Sequence, residues 1–415
     1  MSTLSVPNLA AAAGPVLEFE RRILDSVPEI EHWFRLQWLE HTPPFYGSVD
    51  LRNAGFKLAP VDMNLFPGGF NNLSDDALPC AVQAAQVAVE RICPDARRLL
   101  LVPERHTRNV HYLLNVARLV RILSSTGLEV RIGSLAEELT EPTTISLPGA
   151  ERLLVEPLPD QTLLPPLHAG WSVRRKSNHF ACYDEVAGTF ARLVQVDPWM
   201  INPLFARCGE VDFRDTASNE CLVSQVDQLL AAIREKYQTY DIQQKPFVIV
   251  KADAGTYGMG IMTVHDASEV AALNRKQRNK MAIVKEGLHV SEVIIQEGVP
   301  SFEKVEHGVA EPVVYMIDRY VVGGFYRVHP GRGIDENLNA PGMHFVPLAF
   351  HCSCNLPDPR AAPGASALNR FYIYGVIGRL ALLAAALELE RWDPANSGAT
   401  DRGAPTSSTT PALAG

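Results

Sequence analysis

The chain has 415 residues, 47% of them hydrophobic, which is long enough for two or three packed domains. It carries 38 basic and 47 acidic side chains, a formal charge of −9, which excludes a general basic surface for nucleic acid, so anionic ligands must be bound by local clusters. No uncharged apolar run approaches the roughly 20 residues of a membrane helix, and the first residues lack a targeting pattern, so a cytoplasmic protein without membrane contact is expected.

Seven cysteines are scattered along the chain, an odd number that favours reduced thiols over a disulfide framework. Cys352 and Cys354 are closely spaced, but no second pair completes a zinc site. We interpret these two as ordinary thiols rather than as a metal or redox motif.

The predicted elements begin with a helix and a long loop. Residues 15–40 place apolar side chains on one face among charged positions, which predicts a packing helix. Residues 48–73 follow neither a helical nor a strand period but carry glycines and many polar groups. They are predicted to form a functional loop system.

Helices and strands then alternate. Helices are predicted at 76–92 and 109–125 and buried strands at 98–103 and 128–132, an alternation that favours an α/β first domain. In the second half, helices are predicted at about 180–195, 222–237 and 370–391, and strands at 246–251, 293–296 and 313–322. The tail 396–415 is small, polar and proline-bearing and is predicted to be disordered.

The most informative segment is KPFVIVKADAGTYGMGIMTV, in which a strand ends at Lys251 and is followed by Gly255, Gly258 and Gly260 and by a second apolar strand. Glycines let backbone N–H groups approach a polyphosphate, and a lysine at the strand end can neutralise phosphate charge. The P-loop and dinucleotide-binding signatures are absent. On spacing alone, a tight hairpin without a ligand is an alternative.

Two later segments offer further groups for a nucleotide and a metal. The strand at 293–296 leads into a short polar linker whose backbone can read an adenine edge; its residues are Gln296, Glu297 and Val299. Next come acidic and amide side chains of the kind that Mg²⁺ accepts, namely Asp318, Asp335, Glu336, Asn337 and Asn339. Arg319 and Arg327 flank a glycine pair, and Arg327 could hold a transferring phosphoryl group.

This succession resembles the ATP-grasp fold over roughly residues 171–392. The resemblance implies a nucleotide between two α+β subdomains, with the glycine loop closing over its phosphates. It also implies that Lys251 and an earlier lysine, Lys176, contact the nucleotide. Without the resemblance, the basic run of Arg174, Arg175 and Lys176 is as readily a solvated turn.

The amino-terminal motifs are more specific. PPFYGSVDLRNAGFKLAPVDMNLFPGGFNNL, VPERHTRNVHYL and LPPLHAGWSVRRKSNHF resemble the proteobacterial glutamate–cysteine ligase family that carries an ATP-grasp domain, and the match extends to residue 392. The resemblance implies a mixed α/β and α+β fold. An α/β substrate-binding domain at 1–170 would precede an ATP-grasp-like catalytic domain at 171–395 and the disordered tail.

The implied activity is the ATP- and Mg²⁺-dependent ligation of L-glutamate, through an acyl phosphate of its γ-carboxylate, to L-cysteine in glutathione biosynthesis. The implied catalytic side chains are Lys251, Arg327 and Arg319, and the implied metal ligands are Asp318, Glu336, Asn337 and Asn339. The groups available for the amino-acid substrates are Asp50, Arg52, Asn53, Lys57, Asp62, Asn64, Asn71, Asn72 and Arg108. Near Arg108, Thr107 or Asn109 can instead cap the following helix.

One segment departs from the family pattern. Between the strand near 152–155 and the motif LPPLHAGW, the family has a further strand and an Asn-Asn-Asp-Leu loop, where this chain has only EPLPDQT. The alternatives are therefore another ATP-grasp carboxylate–amine ligase and a vestigial or regulatory ATP-binding protein. A homo-oligomer is compatible with the sequence, and a nucleic-acid scaffold is disfavoured.

Overall fold

The computed structural model describes residues 15–104, 109–134, 143–146, 152–157, 164–170, 173–209, 211–213, 220–255, 260–282, 290–348 and 367–394. Over these ranges the chain folds into three β-sheets with helices packed against them. The tail, the pair Cys352 and Cys354, and the predicted site residues Arg108 and Gly258 lie outside these ranges.

Helices α1 to α9 span Pro15–Asp25, Val27–Glu40, Leu78–Ile92, Val110–Ser124, Lys176–Val194, Glu220–Thr239, Ala267–Ala271, Arg275–Ala282 and Ala367–Arg391. Strands β1 to β14 span Tyr46–Asn53, Leu58–Asn64, Arg98–Leu101, Glu129–Ser134, Thr143–Ser146, Arg152–Pro157, Phe205–Cys208, Val248–Ala252, Ile261–Val264, Val293–Glu297, Lys304–Val305, Gly308–Ile317, Tyr320–His329 and His344–Pro347. Each helix predicted after residue 75 is present with bounds close to those expected. The predicted helix at 15–40 is two helices that meet at Ser26, just before a proline.

The predicted loop at 48–73 is wrong in its first half, because β1 and β2 form an antiparallel hairpin there. Both faces of β1 are covered by protein, and one of them carries Asp50 and Arg52. Polar side chains on a buried face conceal the alternation of apolar and polar residues by which a strand is usually detected.

The largest sheet, here the central sheet, is antiparallel with the strand order β14-β13-β12-β1-β2, and β11 also pairs with β12. The pairing of β1 with β12 sets Tyr46 opposite Ile317 and Asp50 opposite Val313. Because β1 and β2 precede residue 65 and the other four strands follow residue 303, the predicted domain boundary at residue 170 cuts across this sheet.

One face of the central sheet packs against α5 and α9. Val49, Leu51 and Val314 contribute to this core together with most of α9. Residues 371–391 of α9 are long and apolar enough to cross a membrane, but 83% of their most apolar window is buried inside the protein. They form a core helix of this layer.

The opposite face has two parts. The apolar end consists of Tyr46, Val313, Tyr315 and Phe325, which are buried against α3 and α4. Farther along the same strands, the charged end carries four side chains, which are Asp50, Arg52, Glu311 and Arg327. Since side chains on one face recur every second residue, the same pleat that forms the apolar end also aligns these charges.

The two smaller sheets flank this arrangement. The second sheet, antiparallel with the order β7-β10-β8-β9, buries one face against α6. In the third sheet β3, β4 and β6 are parallel and β5 is antiparallel, which confirms the predicted α/β alternation around α4.

The turn between β1 and β2, residues 54–57, is here called the hairpin tip, and it inserts into the core of the second sheet. The ring of Phe56 stacks on Trp199 at 6.0 Å between centroids. Lys57 Nζ lies 2.6 Å from Glu297 Oε2, and neither side chain is exposed to solvent. The hairpin tip therefore fixes the central sheet against the second sheet.

Candidate active site

The charged end of the central sheet faces the second sheet and the start of α5. Seven side chains meet there and form the charged cluster: Asp50, Arg52, Asp62, Lys176, Lys251, Glu311 and Arg327. With every member ionised, the cluster holds one more positive than negative charge. Such a cluster suits anionic ligands, which the acidic chain as a whole does not attract.

Two arginines organise the carboxylates of the central sheet. Arg327 donates to Asp50 Oδ1 at 3.0 Å and to Glu311, and Arg52 Nε donates to Glu311 Oε2 at 3.0 Å. Burial alone would raise the pKa of Glu311, but the guanidinium groups of Arg52 and Arg327 outweigh it and hold that pKa below its usual value. Glu311 thus stays ionised between the two arginines.

Arg52 also connects the cluster to two loops. Its Nη1 donates to the carbonyl oxygens of Val299 at 3.3 Å and Ile334 at 3.4 Å, and its Nη2 donates to that of Glu336 at 2.6 Å. The linker after β10 and the segment after β13 are therefore held together by one buried guanidinium.

Two lysines enter the cluster from the other side. Lys251 Nζ donates to the carbonyl oxygen of Val61 at 2.7 Å and to Gln296 Oε1 at 2.8 Å, while Lys176 Nζ contacts Asp62 Oδ1 at 2.7 Å. Burial lowers the pKa of Lys251 to about 8, although Asp62 counteracts it. Burial would raise the pKa of Asp62, but the ammonium groups of Lys176 and Lys251 bring it well below its usual range.

Asp50 and Asp62 stand directly opposite each other on β1 and β2. Burial raises the pKa of Asp50 to about 6 against the effect of Arg327, and the nearby carboxylates of Glu311 and Asp62 raise it further. Asp50 is thereby a group of the cluster that titrates near neutral pH, which is a common property of binding and catalytic carboxylates.

Two buried donors of the site lack a hydrogen-bond partner within the part of the chain that the structure describes. They are Nε2 of Gln296, whose Oε1 binds Lys251, and Nε of Arg327. A buried donor without an acceptor costs about 1–3 kcal/mol, so such atoms indicate where a ligand oxygen is expected.

The start of α5 is held by a residue that sequence reasoning missed. Asp253 is fully buried and accepts hydrogen bonds from the backbone nitrogen and the hydroxyl of Ser177, both at 2.7 Å. Its carbonyl oxygen also accepts from the backbone nitrogen of Lys176 at 2.8 Å. Arg175 at the N-cap of α5 provides no side-chain cap. The lack of a capping residue type at this position is the sequence signal that a partner from elsewhere in the chain holds the start of α5.

The basic run before α5 is not a solvated turn. Arg174 forms a two-pronged pair with Glu388 of α9, at 2.9 and 2.7 Å, and Arg175 contacts Glu292 at 2.8 Å. The third member of the run, Lys176, reaches the charged cluster. The three cations are thus each committed to a different carboxylate.

The strand–loop–strand unit predicted around the glycines is confirmed, since β8 and β9 pair antiparallel. Gly255 and Gly260 have positive φ angles of 102° and 62°, a conformation that favours glycine. Thr263 of β9 donates to the carbonyl oxygen of Asp335 at 3.4 Å, which brings the segment after β13 toward this hairpin. Binding of phosphates by the loop remains a prediction.

Several predicted ligand-binding residues instead hold the fold together. The Glu297 carboxylate is enclosed by Lys57, by Trp199 Nε1 at 3.1 Å and by the backbone nitrogen of Leu204 at 2.9 Å. Asn53 donates to Glu303 at 2.9 Å in a buried contact. The side chains of Lys57, Glu297 and Asn53 are therefore occupied by protein partners, and a role in ligand binding remains a prediction for them.

The linker predicted to read adenine is also largely paired. The backbone nitrogen of Glu297 donates to Leu204 at 2.7 Å, that of Gly298 donates to Phe247 at 2.8 Å, and the carbonyl oxygen of Val299 accepts from Arg52. Gln296, whose Nε2 has no partner among the described residues, is the linker residue best placed for a ligand.

Asp318 and Arg319 are not brought to the charged cluster. They lie at the turn between β12 and β13, at the opposite end of these strands from Glu311 and Arg327. Arg91 donates to Asp318 at 2.9 Å, and Arg319 lies beside the next residue, Tyr320. A catalytic or metal-binding role together with the cluster is therefore not supported for these two residues.

The remaining metal candidates lie in the segment after β13. The Glu336 carboxylate accepts from the backbone nitrogen of Gly333 at 2.7 Å and from Arg332 at 2.6 Å, and Asn337 Oδ1 accepts from the backbone nitrogen of Asn339 at 2.9 Å. The described ranges contain no group of three His, Cys, Asp or Glu side chains suited to a metal. Mg²⁺ on a nucleotide uses only one or two protein carboxylates besides phosphate oxygens, so the oxygens of Glu336 and Asn337 fit that mode.

The other predicted substrate residues flank the cluster or lie nearby. Asn64 stands opposite Ser48 on the hairpin and is half-buried. Asn71 donates to Asn72 at 3.2 Å in the turn after β2. Neither observation tests a role in binding substrate.

Two comparisons with known proteins point to one family. A family model described as Glutamate-cysteine ligase matches residues 20–161 and 158–389, two segments that meet where the chain lacks the expected Asn-Asn-Asp-Leu loop. The structure is similar to that of a candidate gamma-glutamylcysteine synthetase from Methylobacillus flagellatus KT, with 58% identity, a TM-score of 0.86, and coverage of 94% of this chain and 100% of that chain. A glutathione synthetase like-effector (GSS30) from Globodera pallida is 9% identical over 76% of this chain and 78% of that chain, with a TM-score of 0.33 that supports no conclusion. No curated protein matches significantly.

Proposed function

This chain belongs to the glutamate–cysteine ligase family, and we propose that the charged cluster is the site where it couples ATP cleavage to the joining of its two amino acids. The protein is a ligase that joins glutamate to cysteine in glutathione biosynthesis. The proposal covers the position of the active site, the use of ATP and the roles of the individual residues. It also includes a cytoplasmic location of the protein.

One observation supports this assignment: among the described residues, Arg327 in the positively charged cluster and Gln296 beside Lys251 each have a buried donor without a partner. Phosphate and carboxylate oxygens are the ligands that such donors require. The glycine hairpin of β8 and β9 lies next to Lys251, as expected for a polyphosphate site of the ATP-grasp kind.

The reaction explains the need for these charges. A carboxylate does not react with an amine at neutral pH, because oxide is a poor leaving group. Transfer of the γ-phosphoryl group of ATP to the γ-carboxylate of glutamate gives ADP and an acyl phosphate. The cysteine amine then attacks the carbonyl carbon, phosphate leaves with the bonding electrons, and the amine proton is released.

Six members of the cluster have a task in this sequence, and the seventh, Asp62, holds Lys176. Lys251 and Lys176 neutralise phosphate oxygens, and Arg327 stabilises the charge that develops on the transferring group. Asp50, which titrates near neutral pH, accepts a proton or a hydrogen bond from a substrate ammonium. Glu311 and Arg52 keep Arg327 and the two loops in position.

A divalent cation fits the donor chemistry of the segment after β13, where Glu336, with Asn337 and Asn339, would hold it. When bound, Mg²⁺ neutralises phosphate charge and so favours phosphoryl transfer. Until phosphate and metal arrive, Lys176 and Lys251 are held by Asp62, by Gln296 and by the backbone of Val61.

The test is ADP release by the purified full-length protein in Mg-ATP, with glutamate, cysteine, both or neither, and mass spectrometry of the product. We expect release that requires both amino acids and forms γ-glutamylcysteine. Binding of ATP without turnover would instead support the vestigial protein, and turnover with another amine would support a different carboxylate–amine ligase. The short connection near residues 156–163 makes this test informative, because the family has a longer segment there.

A further inference from the structure

Two cysteines outside the charged cluster are in direct contact. Cys208 is the last residue of β7 and is buried, whereas Cys221 is the second residue of α6 and is exposed. Their sulfur atoms are 3.0 Å apart, only about 1 Å more than the ~2.04 Å of a disulfide bond. The strand and the helix thus present two thiols to each other without a bond between them.

The other exposed cysteine of the described ranges provides a comparison. Cys93 follows α3 and has no second thiol in contact within these ranges. A chemical difference between Cys221 and Cys93 would therefore report the presence of Cys208 rather than exposure alone.

We propose that Cys208 and Cys221 are an oxidation site, at which a small soluble disulfide converts the two thiols into an intramolecular disulfide between β7 and α6. In the first step the Cys221 thiolate attacks the small disulfide, a mixed disulfide forms, and one small thiol leaves. In the second step the Cys208 thiolate displaces the remaining small thiol and bonds to Cys221. One small disulfide is reduced to two thiols while the protein dithiol loses two hydrogens.

The surroundings determine the order of these steps. Burial, reinforced by the neighbouring sulfur of Cys221, raises the pKa of Cys208 to about 12, so Cys208 remains protonated at neutral pH and does not react first. Once Cys221 is part of a mixed disulfide, Cys208 lies beside it at the 3.0 Å separation of the two sulfur atoms, and its ionisation no longer creates two adjacent negative sulfurs. The buried thiol therefore acts as the resolving cysteine.

The bond would fasten an edge of the second sheet. Within this sheet β7 pairs with β10, where Cys208 lies opposite Val293, and the two cysteines are 13 residues apart along the chain. A cross-link that closes a loop of this length restricts the unfolded chain, so we expect the oxidised protein to melt roughly 2–5 °C higher. The expected change is independent of the proposed active site.

The experiment uses the full-length protein and glutathione disulfide as the probe. After oxidation, remaining thiols are alkylated and the protein is digested with trypsin without reduction. Cleavage after Arg207, Arg214 and Arg234 places Cys208 on peptide 208–214 and Cys221 on peptide 215–234, so the disulfide appears as a linked pair of known mass. We expect this pair in the unmodified sequence and in Cys93→Ser.

Two variants test the order of attack. Cys221→Ser should give no linked peptides and no rise in melting temperature, whereas Cys208→Ala should stop at a stable mixed disulfide on Cys221. Accumulation of that mixed disulfide in the unmodified sequence, or reaction of Cys221 no different from that of Cys93, would overturn the proposal. Linked peptides that appear only after unfolding in urea would also overturn it.

Discussion

The apolar end and the charged end of the central sheet share the same strands and the same face but differ in what covers them. At the apolar end, Phe325 and Tyr315 are packed against α3 and α4. Two residues farther along β13, Arg327 has a buried donor without a partner among the described residues. The pleat of the strands sets the side-chain positions at both ends. The apolar end is packed by α3 and α4, whereas the charged end keeps a buried donor without a partner among the described residues.

The largest loss of activity should come from replacing Lys251, the lysine that faces the charged end of the central sheet. We expect Lys251→Ala to lower ADP release by about 10³-fold or more while the protein still folds, because a fixed charge beside the phosphates is lost. Steady-state ADP release and thermal melting measure the two quantities. Unchanged turnover would remove the glycine hairpin from the site.

Lys57→Met is the matched comparison, since burial also lowers the pKa of Lys57 to about 8. This variant leaves Glu297 buried without its partner and should reduce the free energy of unfolding by about 3–5 kcal/mol. Activity of the protein that remains folded should be retained.

The second prediction compares the charged end and the apolar end of the central sheet directly. Arg327→Met should reduce kcat by about 10²-fold, whereas Phe325→Leu, two residues away on the same face, should leave kcat nearly unchanged and cost about 1–2 kcal/mol of stability. Urea unfolding followed by kinetics at conditions where each variant is folded separates the two. Equal losses of kcat would mean that the two ends do not differ in function.

A smaller effect is expected from Asp253, which positions Lys176 without belonging to the cluster. Asp253→Ala should raise the KM for ATP about tenfold, because the start of α5 loses its cap, and Asp253→Asn should largely restore it. Asp266 caps α7 through the backbone nitrogen and hydroxyl of Ser268 in the same manner. Asp266→Ala should therefore affect only stability, and a similar rise in KM there would contradict a positioning role for Asp253.

The smallest effect is a pH dependence. Because the pKa of Asp50 is raised to about 6 from its usual 3.8, this carboxyl is protonated at pH 5, where most aspartates are ionised. We expect kcat/KM for glutamate to fall as pH drops through about 6, and Asp50→Asn to abolish this limb at a lower overall rate. The exposed Asp76→Asn serves as the control and should leave the profile unchanged.

A second pH dependence, in the KM for ATP, should arise from Lys251. Burial depresses its pKa to about 8 in the folded protein, so the ammonium charge is present below that pH and is lost as pH rises through it. The KM for ATP should consequently increase above about pH 8. A KM for ATP that stays constant to pH 10 would contradict contact between Lys251 and the phosphates.

Much of the fold follows from local pattern, while the site depends on distant partners. The helix expected at 109–125 is found at Val110–Ser124, because its apolar period and the capping residue Asn109 lie within one segment. Lys251 and Arg327 were predicted from their types and settings and Lys176 from the family resemblance, and all three lie in the charged cluster. Glu311 was missed, since it is a single charge within the apolar strand Gly308–Ile317.

The presence of a lysine in the sequence does not by itself distinguish a proposed ligand-binding role from a structural role. Lys57 and Lys251 are both buried lysines whose pKa is lowered by burial, and they differ in what they contact. The partner of Lys57, Glu297, is 240 residues away in sequence, so the ion pair has no local signature. The packing of the hairpin tip was likewise not predictable from the sequence, because the core that it enters belongs to the second sheet, whose strands lie much later in the chain.

The insertion of the hairpin tip bears on how such a protein can be rearranged during evolution or engineering. A cut at residue 170 would give an amino-terminal fragment whose β1 lacks its partner β12 and whose Phe56 and Lys57 have no core to enter. The remaining fragment would keep Lys251 but lose Asp50 and Asp62. Recombination between relatives should therefore succeed when residues 46–64, 199–297 and 304–347 are inherited from the same parent.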